Sequence, residues 1–132
     1  MKLKLCLLSL LCAFSVTSWS AVPPPTVFTA DKPNITVSAT QPTFSLKLKA
    51  NPSTGFLWFL RDYDASLVTP VSRQYEKPDG KLMGAPGYDI WTFKMKPAAF
   101  VVPRQTTLRM IYTRPFSNEN PTPVLFSIST VD

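Results

Sequence analysis

Acid–base chemistry in this chain would fall to eight carboxylates: Asp31, Asp62, Asp64, Glu76, Asp79, Asp89, Glu119 and Asp132. There is no His, and both Cys, Cys6 and Cys12, lie in an apolar N-terminal stretch. The rest of the chain therefore lacks thiol nucleophiles, His-based triads and the commonest soft metal ligands. Asp62 and Asp64 stand on one side of an expected strand end. Paired carboxylates hydrolyse glycosidic bonds only across a cleft that holds the sugar. Nothing in the pattern builds one, and a solvated edge is expected. No glycine-rich loop follows a strand and opens a helix, so a phosphate cradle is missing too. These residues point to a binding protein, not an enzyme, with no cofactor and no metal.

The N-terminus has to be set aside before the fold is read. Lys2 and Lys4 precede an apolar run from Leu5 to Phe14, and small residues follow at Ser15, Ser18, Ser20 and Ala21. This is the layout of a secretory signal peptide, with cleavage expected after Ser20. The run is short of the roughly 20 residues that span a membrane. Leu10 and Leu11 before Cys12 do not resemble a lipidation site. The expected divisions are residues 1–20 as signal peptide, 21–33 as a proline-rich extended lead-in and 34–132 as one domain. An exported protein, periplasmic or extracellular, follows, with no membrane anchor after cleavage and no cysteine left for a disulfide. Without Lys2 and Lys4 the net charge is +4. The basic residues are scattered, whereas nucleic-acid binding needs a concentrated footprint; no nucleic-acid partner is expected.

Fourteen Pro residues and four Gly make turns plentiful and long helices unfavourable. Short alternating segments predict strands. Ile35 and Val37 mark one over 34–39. Phe44, Leu46 and Leu48 alternate with Ser45, Lys47 and Lys49 in the next, over 43–50. The segment 56–63 is too apolar for its faces to be assigned, and 64–74 reads as strand or turn, since Pro70 opposes helix. Residues 75–87 read as a long loop. Trp91, Phe93 and Met95 mark a strand over 88–96, and a connection with room for a helical turn follows. Leu108, Met110 and Tyr112 mark 106–113, and Val124, Phe126 and Ile128 mark 124–130. About seven strands imply an all-β, immunoglobulin-like sandwich, with a small barrel as the alternative.

Three loops stand out. Asn51-Pro52-Ser53-Thr54-Gly55-Phe56-Leu57-Trp58 is a tight polar turn running into a strand. Gly84-Ala85-Pro86-Gly87 precedes an aromatic strand. Tyr112-Thr113-Arg114-Pro115-Phe116 ends another. Together these segments resemble the chagasin family, inhibitors of papain-like cysteine proteases, and the likeness spans about residues 34–131. Four departures stand out: Ser53 replaces a Thr, Pro86 enters the glycine-rich loop, Phe116 replaces a Trp, and the Ala98–Gln105 connection lacks the Gly often present before the next strand. The resemblance implies an immunoglobulin-like domain whose three loops enter the protease cleft, with Thr54 beside the catalytic Cys. Inhibition would be reversible and noncovalent, by a protein that is a monomer when free. The implied protease-binding residues are Asn51, Pro52, Ser53, Thr54, Gly55, Phe56, Met83, Gly84, Ala85, Pro86, Gly87, Tyr88, Arg114, Pro115 and Phe116. Trp58, Trp91, Phe93 and Tyr112 would support them from below. Arg114 has two readings, pairing with an acidic rim on the target or anchoring its own loop. Two other functions fit the same composition: an immunoglobulin-like adhesion or carbohydrate-binding module, and an envelope assembly subunit that accepts a strand at its edge.

Overall fold

Alternation at period two gives each strand an apolar face, and two such faces close on each other. In a computed structural model, which describes residues 15–19, 21, 23–80 and 84–132, the strands are β1 (Thr26–Thr29), β2 (Asn34–Ser38), β3 (Thr43–Ala50), β4 (Leu57–Asp62), β5 (Val68–Glu76), β6 (Gly87–Met95), β7 (Gln105–Thr113) and β8 (Thr122–Val131). They form two four-stranded sheets, in the orders β1-β3-β6-β5 and β2-β8-β7-β4. The architecture is an all-β sandwich consistent with the immunoglobulin-like class, and the barrel alternative is set aside. The signal-peptide reading concerns residues 1–20, most of which lie outside the described residues.

The inward positions are those the alternation marks. Phe44, Leu46 and Leu48 on β3, Phe93 and Met95 on β6, Leu108 and Met110 on β7, and Phe126 and Ile128 on β8 are all 1% exposed or less. The rings of Phe44 and Phe93 stack with centroids 5.6 Å apart. On β4, Trp58 faces in and Phe59 faces out at 37% exposure, which resolves the faces of that apolar segment. Sheet-on-sheet packing of this kind carries most of the stability of a domain that has no disulfide to brace it.

Three boundaries differ from the sequence reading. Within the extended lead-in, Thr26–Thr29 pairs in parallel with Phe44–Lys47, adding an edge strand. Phe28 projects from it to meet the Phe44 ring edge-on at 6.4 Å. The 64–74 segment divides into a turn and then β5. In the turn, Leu67 and Val68 donate N–H groups to the Asp64 carbonyl. Pro70 is accommodated because β5 is an edge strand, and the register slips just past it. Finally, β5 runs on to Glu76, paired with Tyr88, and β6 begins at Gly87. The long loop is thus shorter than the expected 75–87, because backbone pairing with β6 outweighs the turn composition near its ends. The connection after β6 does hold a short 3-10 turn, Pro97–Phe100. Thr130 Oγ1 donates to the Ala99 carbonyl at 2.7 Å and accepts from the Arg104 N–H at 2.9 Å, pinning this connection to β8.

Candidate functional site

Strand register decides which loops meet. Ala50 at the end of β3 pairs with Gly87 at the start of β6. Leu57 at the start of β4 pairs with Thr113 at the end of β7. The chain therefore leaves one sheet beside the 77–86 loop and enters the other beside the 114–121 loop. The 51–56 loop crosses between the sheets with one of the others on each side.

The central loop is a built turn. Pro52–Thr54 forms a single 3-10 turn with Pro at its first position. Thr54 N–H donates to the Asn51 carbonyl and Gly55 N–H to the Pro52 carbonyl, each at 3.1 Å. Gly55 closes the turn at φ 81°, a conformation costing a side-chain-bearing residue about 1–2 kcal/mol. Thr54 Oγ1 donates to the Asn51 carbonyl at 2.7 Å, and Ser53 Oγ to Asn51 Oδ1 at 2.6 Å. The hydroxyl kept at Ser53 thus has a partner inside the loop.

Braces tie this turn to its neighbours. Asn51 Nδ2 donates to the Gly84 carbonyl across the gap to the 77–86 loop, at 3.2 Å. Its N–H donates to the Tyr112 hydroxyl at 3.2 Å. From the other side Arg114 Nη2 donates to the Thr54 carbonyl at 3.1 Å, and the guanidinium lies 4.7 Å from the centre of the Phe56 ring. Glu119 lies 3.9 Å from Arg114 Nη1. Of the two readings of Arg114, anchoring is the one these contacts describe, and the loop anchored is the central one. Below them Phe56 stacks on Tyr112 at 5.4 Å, and Tyr112 meets Trp58 at 4.8 Å. Trp58 Nε1 donates to the Lys49 carbonyl at 3.0 Å, joining the sheets under the turn.

Pro52, Ser53, Thr54, Gly55, Gly84, Pro86, Arg114, Pro115 and Phe116 are exposed at this end, with Asn51, Phe56 and Ala85 half-buried. Phe116 stands fully clear of the protein, at φ 60°. Arg114-Pro115-Phe116-Ser117 is a turn closed by Ser117 N–H on the Arg114 carbonyl at 3.3 Å. Pro second and a positive φ third are the marks of a type II turn, which favours Gly or Asn where Phe116 sits. Gly87 is buried; a Cβ there would come within 2.4 Å of the Glu76 carbonyl oxygen and the Tyr75 hydroxyl. Tyr88 lies beside the loop end with Lys47 Nζ 4.5 Å from the centre of its ring. Met83 lies outside the described residues. Of the supports, Trp58 and Phe93 are buried, and Trp91 and Tyr112 half-buried.

The stem of the 77–86 loop holds residues that no motif marks. Asp89 is buried and accepts from Arg73 Nη2 at 2.9 Å, and that guanidinium lies over Trp91 at 5.2 Å. The bulge near Pro70 turns Arg73 to meet them, and a bulge leaves no plain signal in sequence. Asp62 and Asp64 have structural partners. Asp62 pairs with Arg109 at 3.3 Å. Asp64 accepts the N–H and hydroxyl of Ser66, which holds its carboxyl below the usual range. Among the described residues no three His, Cys, Asp or Glu gather where a metal could bind.

A sandwich that presents a central loop braced to a neighbour on each side, all at one end, has the layout of a binding module. The sequence then fixes the family: residues 37–129 match the chagasin family of peptidase inhibitors, I42, and the chain belongs to it. No curated protein matches the sequence. Solved structures share the fold. The cysteine protease inhibitor EhICP2 from Entamoeba histolytica is 17% identical, with a TM-score of 0.61, over 80% of this chain and 94% of its own. Amebosin in solution is 17% identical with a TM-score of 0.62, over 83% and 100%. PbICP-C, in a complex with falcipain-2, is 15% identical with a TM-score of 0.57, over 86% and 96%.

Proposed function

We propose that this protein is a reversible, noncovalent inhibitor of papain-like cysteine proteases that binds with the 51–56, 77–86 and 114–121 loops. The observation that carries the reading is the bracing of the central turn from both sides, by Asn51 on Gly84 and by Arg114 on Thr54. A turn fixed before binding loses little entropy on entering a cleft. Thr54, exposed at its tip, is short and β-branched and fills space beside a catalytic Cys. Pro115 and Phe116 on one side and Gly84 to Pro86 on the other grip the cleft walls. Phe116 brings an aromatic face without an indole donor. Occlusion needs no reacting group on the inhibitor.

The N-terminal pattern supports export to the periplasm or the cell exterior, and the free protein is proposed to be a monomer. Light scattering of the exported protein checks the second point.

The test is a progress curve for papain or a cathepsin-L-like protease titrated with the exported protein. Saturable, reversible inhibition is expected, and Thr54→Trp should weaken it with an unchanged circular-dichroism spectrum. No inhibition of several such proteases by micromolar folded protein would leave a noninhibitory binding module.

A further inference from the structure

An inhibitor loop lying against a protease's catalytic Cys is exposed to cleavage, and the bond at the tip here is Thr54–Gly55. Cleavage by such an enzyme has demanding geometry. The thiolate attacks the carbonyl carbon while the carbonyl oxygen moves into donors that stabilise its developing charge. The Sγ–C bond forms and the C–N bond breaks, its electron pair passing to the Gly55 nitrogen, which takes a proton from the protease's imidazolium. Water then hydrolyses the thioester, restoring the thiol and leaving a Thr54 carboxylate.

Both sides of this bond are already committed. The Thr54 carbonyl oxygen accepts from Arg114 Nη2 at 3.1 Å. The Gly55 N–H is held by the Pro52 carbonyl at 3.1 Å. The residues on either side are turned away from an extended strand: Thr54 ends a 3-10 turn, and Gly55 has φ 81° and ψ −4°. A single 3-10 turn is weak by itself. Arg114 reinforces it from outside. Its stem lies along Gly55, with Cγ and Cδ 3.7 and 3.8 Å from where a Cβ would stand. Its head is seated over Phe56 and near Glu119.

We infer that Arg114 is a positioning residue that keeps the inhibitor from becoming a substrate, by holding the Thr54 carbonyl out of reach of the oxyanion donors of the protease it occupies. This rests on the inhibitory reading above. With the Nη2 donor gone, the turn relaxes towards an extended form and the Thr54–Gly55 bond becomes cleavable.

The experiment incubates papain with the exported wild-type protein and with Arg114→Ala, Arg114→Met and Arg114→Lys, at concentrations that hold the protease fully inhibited at the start. Arg114→Met keeps the packed stem without a donor, so it serves if Arg114→Ala fails to fold. Mass spectrometry follows the chain. The wild type and Arg114→Lys should stay intact. The Met and Ala variants should be cut between Thr54 and Gly55 at least about tenfold faster per occupied protease, with activity recovering as they are consumed. Intact Met variant at full occupancy overturns the proposal, as does loss of inhibition without cleavage or cutting at another bond. Absence of inhibition by the wild type itself overturns the inhibitory reading instead.

Discussion

At Phe116 a large side chain occupies a backbone conformation that suits glycine. Its φ of 60° costs about 1–2 kcal/mol, and the exposed ring makes no packing that offsets it. Such strain persists when the turn around it is over-determined, here by Pro115 and the Ser117-to-Arg114 bond. Phe116→Gly is therefore expected to stabilise the free protein by about 1 kcal/mol while weakening inhibition; paired melting and inhibition curves measure both. A variant that loses stability would show that the ring supports the fold. Asn51 concentrates contacts in a different way, its side chain serving both Gly84 and Ser53. Asn51→Ala should cost about 0.5–1.5 kcal/mol per lost bond, read mainly as faster dissociation from the protease because the loops are no longer pre-set. Asp64 offers a pH signature. Its pKa is lowered by the Ser66 hydrogen bonds. Its contribution is thus present above the ordinary carboxylate range and lost as pH falls through the lowered folded value. Ser66→Ala should move the Asp64 titration back up, which carbon-detected NMR would follow.

Elements are held by what alternates inward. Phe93 is fully buried on β6 and stacks on Phe44 and, at 6.3 Å, on Trp91. Phe93→Ala is expected to destabilise the domain by about 3–5 kcal/mol in denaturant unfolding, with the cavity adding to the lost burial. A much smaller cost would mean that the two sheets close around the gap. The stem of the 77–86 loop depends on close approach: Gly87 is the position where Tyr75 and the Glu76 backbone leave no room for a side chain. The neighbouring Arg73–Asp89 pair, one partner buried and the other half in water, orients the same hairpin.

For the whole molecule, the parallel edge strand β1 sets where the folded unit begins. A chain starting at Ala30 loses the pairing of Thr26–Thr29 with β3 and the Phe28–Phe44 contact, and exposes part of the core edge. It is expected to melt at a clearly lower temperature than a chain starting at Ala21, which keeps both. Equal melting temperatures would make β1 dispensable. Inhibition by the shorter chain should survive, because β1 lies at the edge of its sheet and the three loops join other strands.

Period-two alternation let the sequence alone determine five strands and most of their inward residues, since burying one face of each strand admits one phase only; the faces of the apolar segment that became β4 waited for the structure. It also marked the central turn, because Pro52 fixes its own φ and Gly55 permits the positive φ that closes it. The limits of β5, the pairing of β1 and the Arg73–Asp89–Trp91 cluster escaped it. Those depend on which strand lies alongside, and turn-rich or proline-bearing segments such as Pro70 and Tyr75 pair only when a neighbour supplies the other half of the hydrogen bonds. The role of Arg114 was likewise decided by tertiary structure: the carbonyl it holds lies sixty residues earlier in the chain, brought within 3.1 Å by the β4–β7 register.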